Sequence, residues 1–247
     1  MTGTNTTIQR LLSLIPDEHK FVELRALLLS DECEVYGFAE TDRLSFVACY
    51  EEPDLAFVYG RPARAAIRQV AERQPSEDTI LCLPEDRAYV EEALPEWRSE
   101  LAHIYRLVDD AYLPKISAGA VRFLTSSELE AMSHVPAELK EELLEAAEES
   151  PVAATFVEEL PVSFCYAGSR TETLWDISID TLAEYRQRGY AALCVAFMIE
   201  HFRQQGLAPV WGALESNLAS MKLAEKLGFA PVDQLVVFEA SDQDASA

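Results

Sequence analysis

Positive charge is scarce in this 247-residue chain: 20 Lys and Arg stand against 43 Asp and Glu, for a formal net charge of -23. Such a surface repels phosphate backbones and anionic headgroups, which argues against nucleic acid or a membrane as partner and leaves a cationic substrate compatible. Cysteines are few. Cys33, Cys49, Cys82, Cys165 and Cys194 show no C-x-x-C spacing, cannot all pair within one chain, and sit partly in apolar runs. Buried free thiols in a reducing cytoplasm are the simplest expectation. The opening "MTGTNTTIQRLLSLIP" lacks a basic n-region and a long apolar stretch, so no signal peptide is expected. No apolar run is long enough to span a bilayer. The four histidines are scattered without ligand spacing, so no metal is expected.

Hydrophobic residues make up 49% of the chain, enough for a substantial core in one large domain or two smaller ones. The pattern predicts an α/β chain. A helix is expected at about 18–30, then strands at "LSFVACY" and "LAFVYG", a helix at "RPARAAIRQVAER", a strand at "TILCLP", a helix at "EDRAYVEEAL" and a strand at "ELAHIYRLV". Residues 109–120 read as a linker between an N-terminal α/β lobe (1–110) and a second domain (120–240). The second half begins with "AVRFLT" and a helix at "SSELEAM", capped by Ser126 or Ser127 with Glu128 or Glu130 in support. An acidic helix follows at "AELKEELLEAAEES". Strands are expected at "VAATFVEE" and "PVSFCYAG", with a turn near 159–161, and at "TLWDISID". A helix over 191–205 ends at Gly206. The strand "APVWGAL" precedes a helix capped by Asn217 and stopped by Gly228. A last strand spans "APVDQLVVFEA", and the tail "SDQDASA" should fray. The two halves share a loose rhythm consistent with a weak internal repeat.

The informative stretch is "YRQRGYAA", Tyr185 to Ala192, between a strand and a helix. The first N–H groups of a helix lack intrahelical partners and carry partial positive charge, so such an end binds anions. Gly189 permits tight geometry and close approach of a ligand. Arg186 and Arg188 add full charge in a fork suited to phosphate oxygens, and Tyr190 can cover an apolar part. The stretch is neither a P-loop nor a dinucleotide fingerprint, since "GxxxxGK[ST]" and "GxGxxG" are both absent. From residue 120 onward only eight Lys and Arg occur, and Arg186, Arg188, Lys222 and Lys226 fall at this junction or on the Asn217 helix. That clustering points to an anionic ligand.

"YRQRGYA", an apolar helix, a short strand, "ESNLASMKLAEKLGF" and a last strand together resemble the GNAT acyltransferase superfamily over about 120–240. Arg186, Gly189 and Ala191 match its R/Q-x-x-G-x-G/A motif, and Asn217 to Phe229 match its Asn-capped helix ending in Leu-Gly-Phe. "PVSFCYAG", "WDISIDTLAEYR" and "LAEKLGF" are similar to a subgroup that includes zwittermicin-type resistance acetyltransferases. The resemblance implies a mixed, largely antiparallel sheet flanked by helices, with residues 1–110 as a degenerate GNAT-like half. It implies acetyl-CoA as cofactor. Backbone N–H groups from about Arg188 to Leu193 would hold its pyrophosphate, and Arg186, Gln187, Arg188, Gly189, Tyr190 and Ala191 would form the cofactor-binding loop. Ile179, Asp180 and Thr181 would line the pantetheine arm, with Asn217 and Lys222 along it, where the family's sheet splays between strands 174–180 and 208–213. The acceptor implied is a small-molecule primary amine; a protein N-terminus or lysine, and a homodimer, stay open.

A primary amine has a pKa near ~10, so at neutral pH a proton must be removed before attack. Glu215 is the first candidate base, with Asp176 and Asp180 as alternatives; alternation places Asp176, Ser178 and Asp180 on one strand face. A backbone N–H near Ile179–Thr181 can stabilise developing charge. The family's proton-donating tyrosine aligns with Ala224 here. Ser220 is the candidate substitute, with Tyr190, Tyr166 or water as others; without one, the chain is an acyl-CoA-binding module rather than an enzyme.

Overall fold

The computed structural model describes residues 2–40, 43–50, 55–73 and 79–240. In chain order the elements are α1 (Thr2–Leu14), α2 (Val22–Leu29), β1 (Cys33–Glu40), β2 (Leu44–Tyr50), β3 (Leu55–Tyr59), α3 (Arg64–Ala71), β4 (Thr79–Cys82), α4 (Arg87–Ala93), β5 (Trp97–Leu107), β6 (Val121–Phe123), α5 (Ser126–Ala131), α6 (Ala137–Glu149), β7 (Ala153–Val157), β8 (Leu160–Arg170), β9 (Leu174–Thr181), α7 (Tyr190–Arg203), β10 (Ala208–Leu214), α8 (Leu218–Lys226) and β11 (Phe229–Ala240). The chain divides into two compact units. One holds 1–104, 212–218 and 231–247, and the other 105–211 and 219–230. The tail after Ala240 lies outside the described residues.

In the first unit the strand order is β1-β2-β3-β4-β11-β5. The β1/β2 and β2/β3 pairs are antiparallel, β3/β4 is parallel and β11/β4 is antiparallel. The core is the apolar side of these strands under α3 and α4: Val47, Val58, Ile67, Val70, Ile80, Val90, Val236 and Phe238 are buried together. Apolar residues of α3 recur at Ala66, Ile67 and Val70, one stripe at helical spacing, so one face of a short helix closes the core.

In the second unit the order is β10-β9-β8-β7-β6. Here β6/β7, β7/β8 and β8/β9 are antiparallel and β9/β10 is parallel. Helices cover both faces. On one, Leu129, Met132, Val135 and Leu143 of the α5–α6 segment bury Phe164 and Tyr166. On the other, Cys194 of α7 reaches the carbonyls of Ala153 and Ser163. The two halves of the chain run through the same succession. The order α-α-β-β-β-α-β-α-β from α1 to β5 recurs from α5 to β11, with the same antiparallel, antiparallel, parallel pairing of its first four strands.

Several local expectations shift. The N-terminal helix starts at Val22 after a 3-10 turn, and α1 and β1 were not expected. The cap of α5 is Thr125, one residue before the serines considered: Thr125 Oγ1 accepts from the Glu128 N–H, and the Glu128 carboxylate accepts from the Thr125 N–H at 2.9 Å. Arg122 adds a 2.6 Å contact, and with Thr125 it holds the Glu128 carboxyl down at about 2. The sign follows: this contribution is present above the unfolded carboxylate range and is lost as pH falls through about 2. Thr125→Ala should lower stability by about 1 kcal/mol in a denaturant titration at neutral pH. The β7–β8 turn falls at Glu158 and Glu159, both at positive φ (49° and 67°), rather than at 159–161. Residues 108–109 are tied down, because both N–H groups donate to the Gly228 carbonyl. Gly228 itself sits at φ 87°, where a Cβ would collide with the Asp109 carbonyl.

Candidate functional site

Within the second unit, β9 changes partners along its length. Its register with β10 runs from Leu174–Ala208 to Asp176–Val210 and stops. Its register with β8 continues through Ile177–Ala167, Ser178–Tyr166, Ile179–Cys165 and Asp180–Phe164 to Thr181–Ser163. Among the described residues of this unit, the last five residues of β9 are therefore strand-paired on one side only. Their other edge presents backbone donors and acceptors, the template that an extended amide chain pairs with. Ser163 secures this end: its hydroxyl donates to the Asp180 carbonyl at 3.0 Å and lies 2.7 Å from Thr181 Oγ1.

The chain leaves that edge through a short 3-10 turn, Ala183–Tyr185, and enters α7 at Tyr190. Gln187 (φ 61°) and Gly189 (φ 88°) are both left-handed, and Gly189 is the residue before the helix. A Cβ on Gly189 would meet nothing within 4 Å, so it faces open space. Arg186 turns back, its Nε donating to the Thr181 carbonyl at 3.0 Å, which ties the loop to the end of β9. Arg188 stacks over Tyr185, 5.7 Å from its centroid, and is exposed. Thr155 donates to the Tyr190 carbonyl at 3.0 Å and pins the helix start to β7. Ala191 opens the first turn. The loop residues Arg186, Gln187 and Arg188 are exposed.

The α5/α6 face carries the titratable groups. Tyr166 and Ser178 are opposite neighbours, and Gly168 leaves room for Ser178 and Asp176: a Cβ there would stand 2.8 Å from Ser178 Oγ and 3.6 Å from Asp176 Oδ2. The Tyr166 hydroxyl donates to the Glu142 carboxylate. Burial first, and then that bond, hold the phenol protonated well above its usual range. Burial raises the Asp180 carboxyl, the Glu142 charge raises it further, and Arg186 opposes both. Asp180 is thus a half-buried carboxylate of raised basicity at the open edge, suited to accept a proton. Burial pushes the Cys194 thiol up to about 12, and Cys165 is raised well above its ordinary value, so neither offers a thiolate. All five cysteines are free and buried.

The remaining candidates lie further along the chain. Glu215 is exposed, and in the first unit its N–H donates to the Leu101 carbonyl at 2.8 Å. Asn217 stands just before α8, its N–H on the Leu214 carbonyl at 2.9 Å. Ser220 accepts from Trp211 Nε1 at 2.9 Å in the second unit, and Lys222 is exposed. Ala224, at the tyrosine's place, is completely buried. Sequence reading assigned no role to Glu142. Only the α6–β8 packing reveals its bond to Tyr166, and a glutamate in an acidic amphipathic helix carries no local signal of it.

Residues 153–238 match the family model described as GNAT acetyltransferase, a span from β7 to β11 that contains every candidate residue above except Glu142. No curated protein matches this chain in sequence. Among solved structures, a GCN5-related N-acetyltransferase-like protein from Streptococcus suis 89/1591 is 19% identical with TM-score 0.69, over 97% of this chain and 100% of its own. A GCN5-related N-acetyltransferase from Kribbella flavida is 15% identical with TM-score 0.59, over 96% of each chain. A tandem GNAT protein from the clavulanic acid biosynthesis pathway is 13% identical with TM-score 0.56, over 98% of this chain and 97% of its own. At these identities the likeness establishes the fold: a GNAT fold whose match runs through both units, as the expected α/β architecture with a mixed sheet and flanking helices requires.

Proposed function

We propose that the chain is an N-acetyltransferase that moves the acetyl group of acetyl-CoA to a primary amine of a small, cationic molecule. The observation that carries this reading is the one-sided end of β9, which leads directly into the left-handed Gln187 and Gly189 and the free amides of α7. These are the two features a pantetheine amide arm and a pyrophosphate require. When bound, acetyl-CoA supplies an acyl group activated as a thioester. The chain's own residues supply the rest. Amides from Arg188 onward, with the Arg188 guanidinium, neutralise the diphosphate. Arg186 holds the loop against Thr181 and lends charge. Ile179, Asp180 and Thr181 align the arm, with Asn217 and Lys222 assigned to its far side.

Among the carboxylates, Asp180 is the base we favour over Glu215, because its surroundings raise its basicity while Glu215 is exposed. Holding the amine beside it replaces a bimolecular encounter by a positioned one. Glu142 and Asp180 also give a cationic acceptor a favourable field. Ser220 keeps its assignment as the group that returns a proton. We assign the transfer to 120–240 and place the protein in the cytoplasm, where free thiols persist. The likeness to zwittermicin-type enzymes is carried as part of this proposal through "PVSFCYAG" and "WDISIDTLAEYR".

A second reading is favoured by one observation. The tyrosine position is a buried methyl, Ala224, so a non-catalytic acyl-CoA-binding module fits the same loop and edge. Calorimetric titration with acetyl-CoA and with CoA tests what the two share: saturable binding of both ligands is expected, and a protein that binds neither contradicts both.

A further inference from the structure

We infer that the first unit is a closed copy of the second, shut at its counterpart of the open strand edge, so that the chain takes a single molecule of acyl-CoA. The inference rests on the function proposed above, which assigns that molecule to the second unit.

In the shared succession, β3 and β4 stand where β9 and β10 stand. The β9/β10 register ends at Asp176 and leaves five residues of β9 open. The β3/β4 register runs Leu55–Thr79, Ala56–Ile80, Phe57–Leu81 and Val58–Cys82, which takes all four residues of β4 and all but the last of β3. No strand edge is left for an amide chain to pair with.

The connection to the following helix differs as well. From β9 to α7 it spans 182–189; from β3 to α3 it spans only 60–63, and one of those residues, Pro62, has no N–H to offer a phosphate. The residue before α3 is Ala63 at φ -53°, where α7 has Gly189 at φ 88°.

A carboxylate then clasps the closed end. Asp86, in the turn after β4, is completely buried. Its Oδ2 accepts from Arg43 at 3.0 Å, and Arg61, the basic residue of the short connection, places Nε 3.7 Å from Oδ1. Among the described residues, Oδ1 has no partner within hydrogen-bond range. Gly60 adds its backbone N–H and sits at φ 67°, where a Cβ would collide with the Leu44 carbonyl. Burial raises the Asp86 carboxyl while Arg43 opposes the rise. A buried carboxylate persists only when paired, and Asp86 engages the head groups of Arg43 and Arg61 although both side chains stay exposed. The charge that at Arg186 and Arg188 faces outward is answered here by an internal anion.

Two measurements on the full chain test this. Titration of wild type with acetyl-CoA should give a single equivalent, and in Gly189→Val that one site should weaken without a second appearing. Arg61→Ala and Asp86→Asn should titrate as wild type. In hydrogen exchange, the amides of 177–181 that face away from β8 should exchange rapidly without ligand and slow by up to about a hundredfold at a hundredfold excess over Kd. Segments 55–58 and 79–82 should be protected from the start and unmoved by ligand. Two equivalents, a lost site in folded Arg61→Ala, or ligand-dependent protection at 55–58 would overturn the closed-copy inference alone. No binding by wild type would remove the proposed function and this inference with it.

Discussion

Valine in place of Gly189 should weaken acetyl-CoA binding about a hundredfold, whereas asparagine there should stay within about threefold of wild type. Space is not the obstacle, because a Cβ at this position meets nothing within 4 Å. Conformation is the obstacle. Gly189 holds φ 88°, ψ 3° immediately before α7, and a β-branched residue rarely adopts that geometry. Keeping it costs about 1–2 kcal/mol, and abandoning it turns the helix amides away from the diphosphate, forfeiting a charge-assisted bond of about 1.5–3 kcal/mol. Asparagine tolerates the left-handed region and serves as the control. Unchanged affinity in a folded valine variant would remove the loop from the site.

The second large effect concerns Asp180. Asp180→Asn should lower kcat by about 10²–10⁴-fold and leave acetyl-CoA affinity within about threefold of wild type. The pH profile carries the sign. A base must be ionised, so activity should fall as pH drops through the raised Asp180 pKa, and that acid limb should vanish in the asparagine variant measured with the same amine. Glu142→Gln removes the neighbouring charge that helps to raise Asp180, so it should move the limb to lower pH. Stability runs the other way. A carboxyl whose folded pKa is raised binds its proton more readily when folded, so its contribution to stability rises as pH falls through that pKa. Above that pKa the ionised side chain is a cost, and there Asp180→Asn should be no less stable than wild type. A kcat that survives with its acid limb intact would exclude Asp180 as the base and return the choice to Glu215 or Asp176.

What could be read in advance follows the range of the interactions involved. Gly189, the start of α7 and the Gly228 stop depend on backbone conformation within a few residues, and the letters of "YRQRGYAA" and "KLGF" carry it. The β7–β8 hairpin was legible but its turn was not, because Glu158 and Glu159 take positive φ without the usual Asn or Gly. The strand β1 was missed since its residues are mostly half-exposed and include Glu34, Gly37 and Glu40, and α1 since its first turns are rich in threonine. The cap of α5 slipped by one residue because Thr125, Ser126 and Ser127 all satisfy the cap preference, and only Thr125 stands three residues before Glu128. Pairing across long sequence separation was invisible. Nothing in "LAFVY" and "TILC" announces a register that closes, or in "TLWDISID" and "APVWGAL" one that opens, and Glu142 meets Tyr166 only once α6 lies on β8.

The central claim is acetyl transfer to an amine, and the most direct measurement is thiol release from acetyl-CoA over a panel of small amines, with the acetylated product identified by mass spectrometry. Amine-dependent release, strongest for acceptors bearing a second positive charge and lost in Asp180→Asn, is the predicted result. Saturable acetyl-CoA binding with no release above spontaneous hydrolysis for any amine would contradict it, and would leave the chain as an acyl-CoA-binding module with a buried methyl at the tyrosine's place.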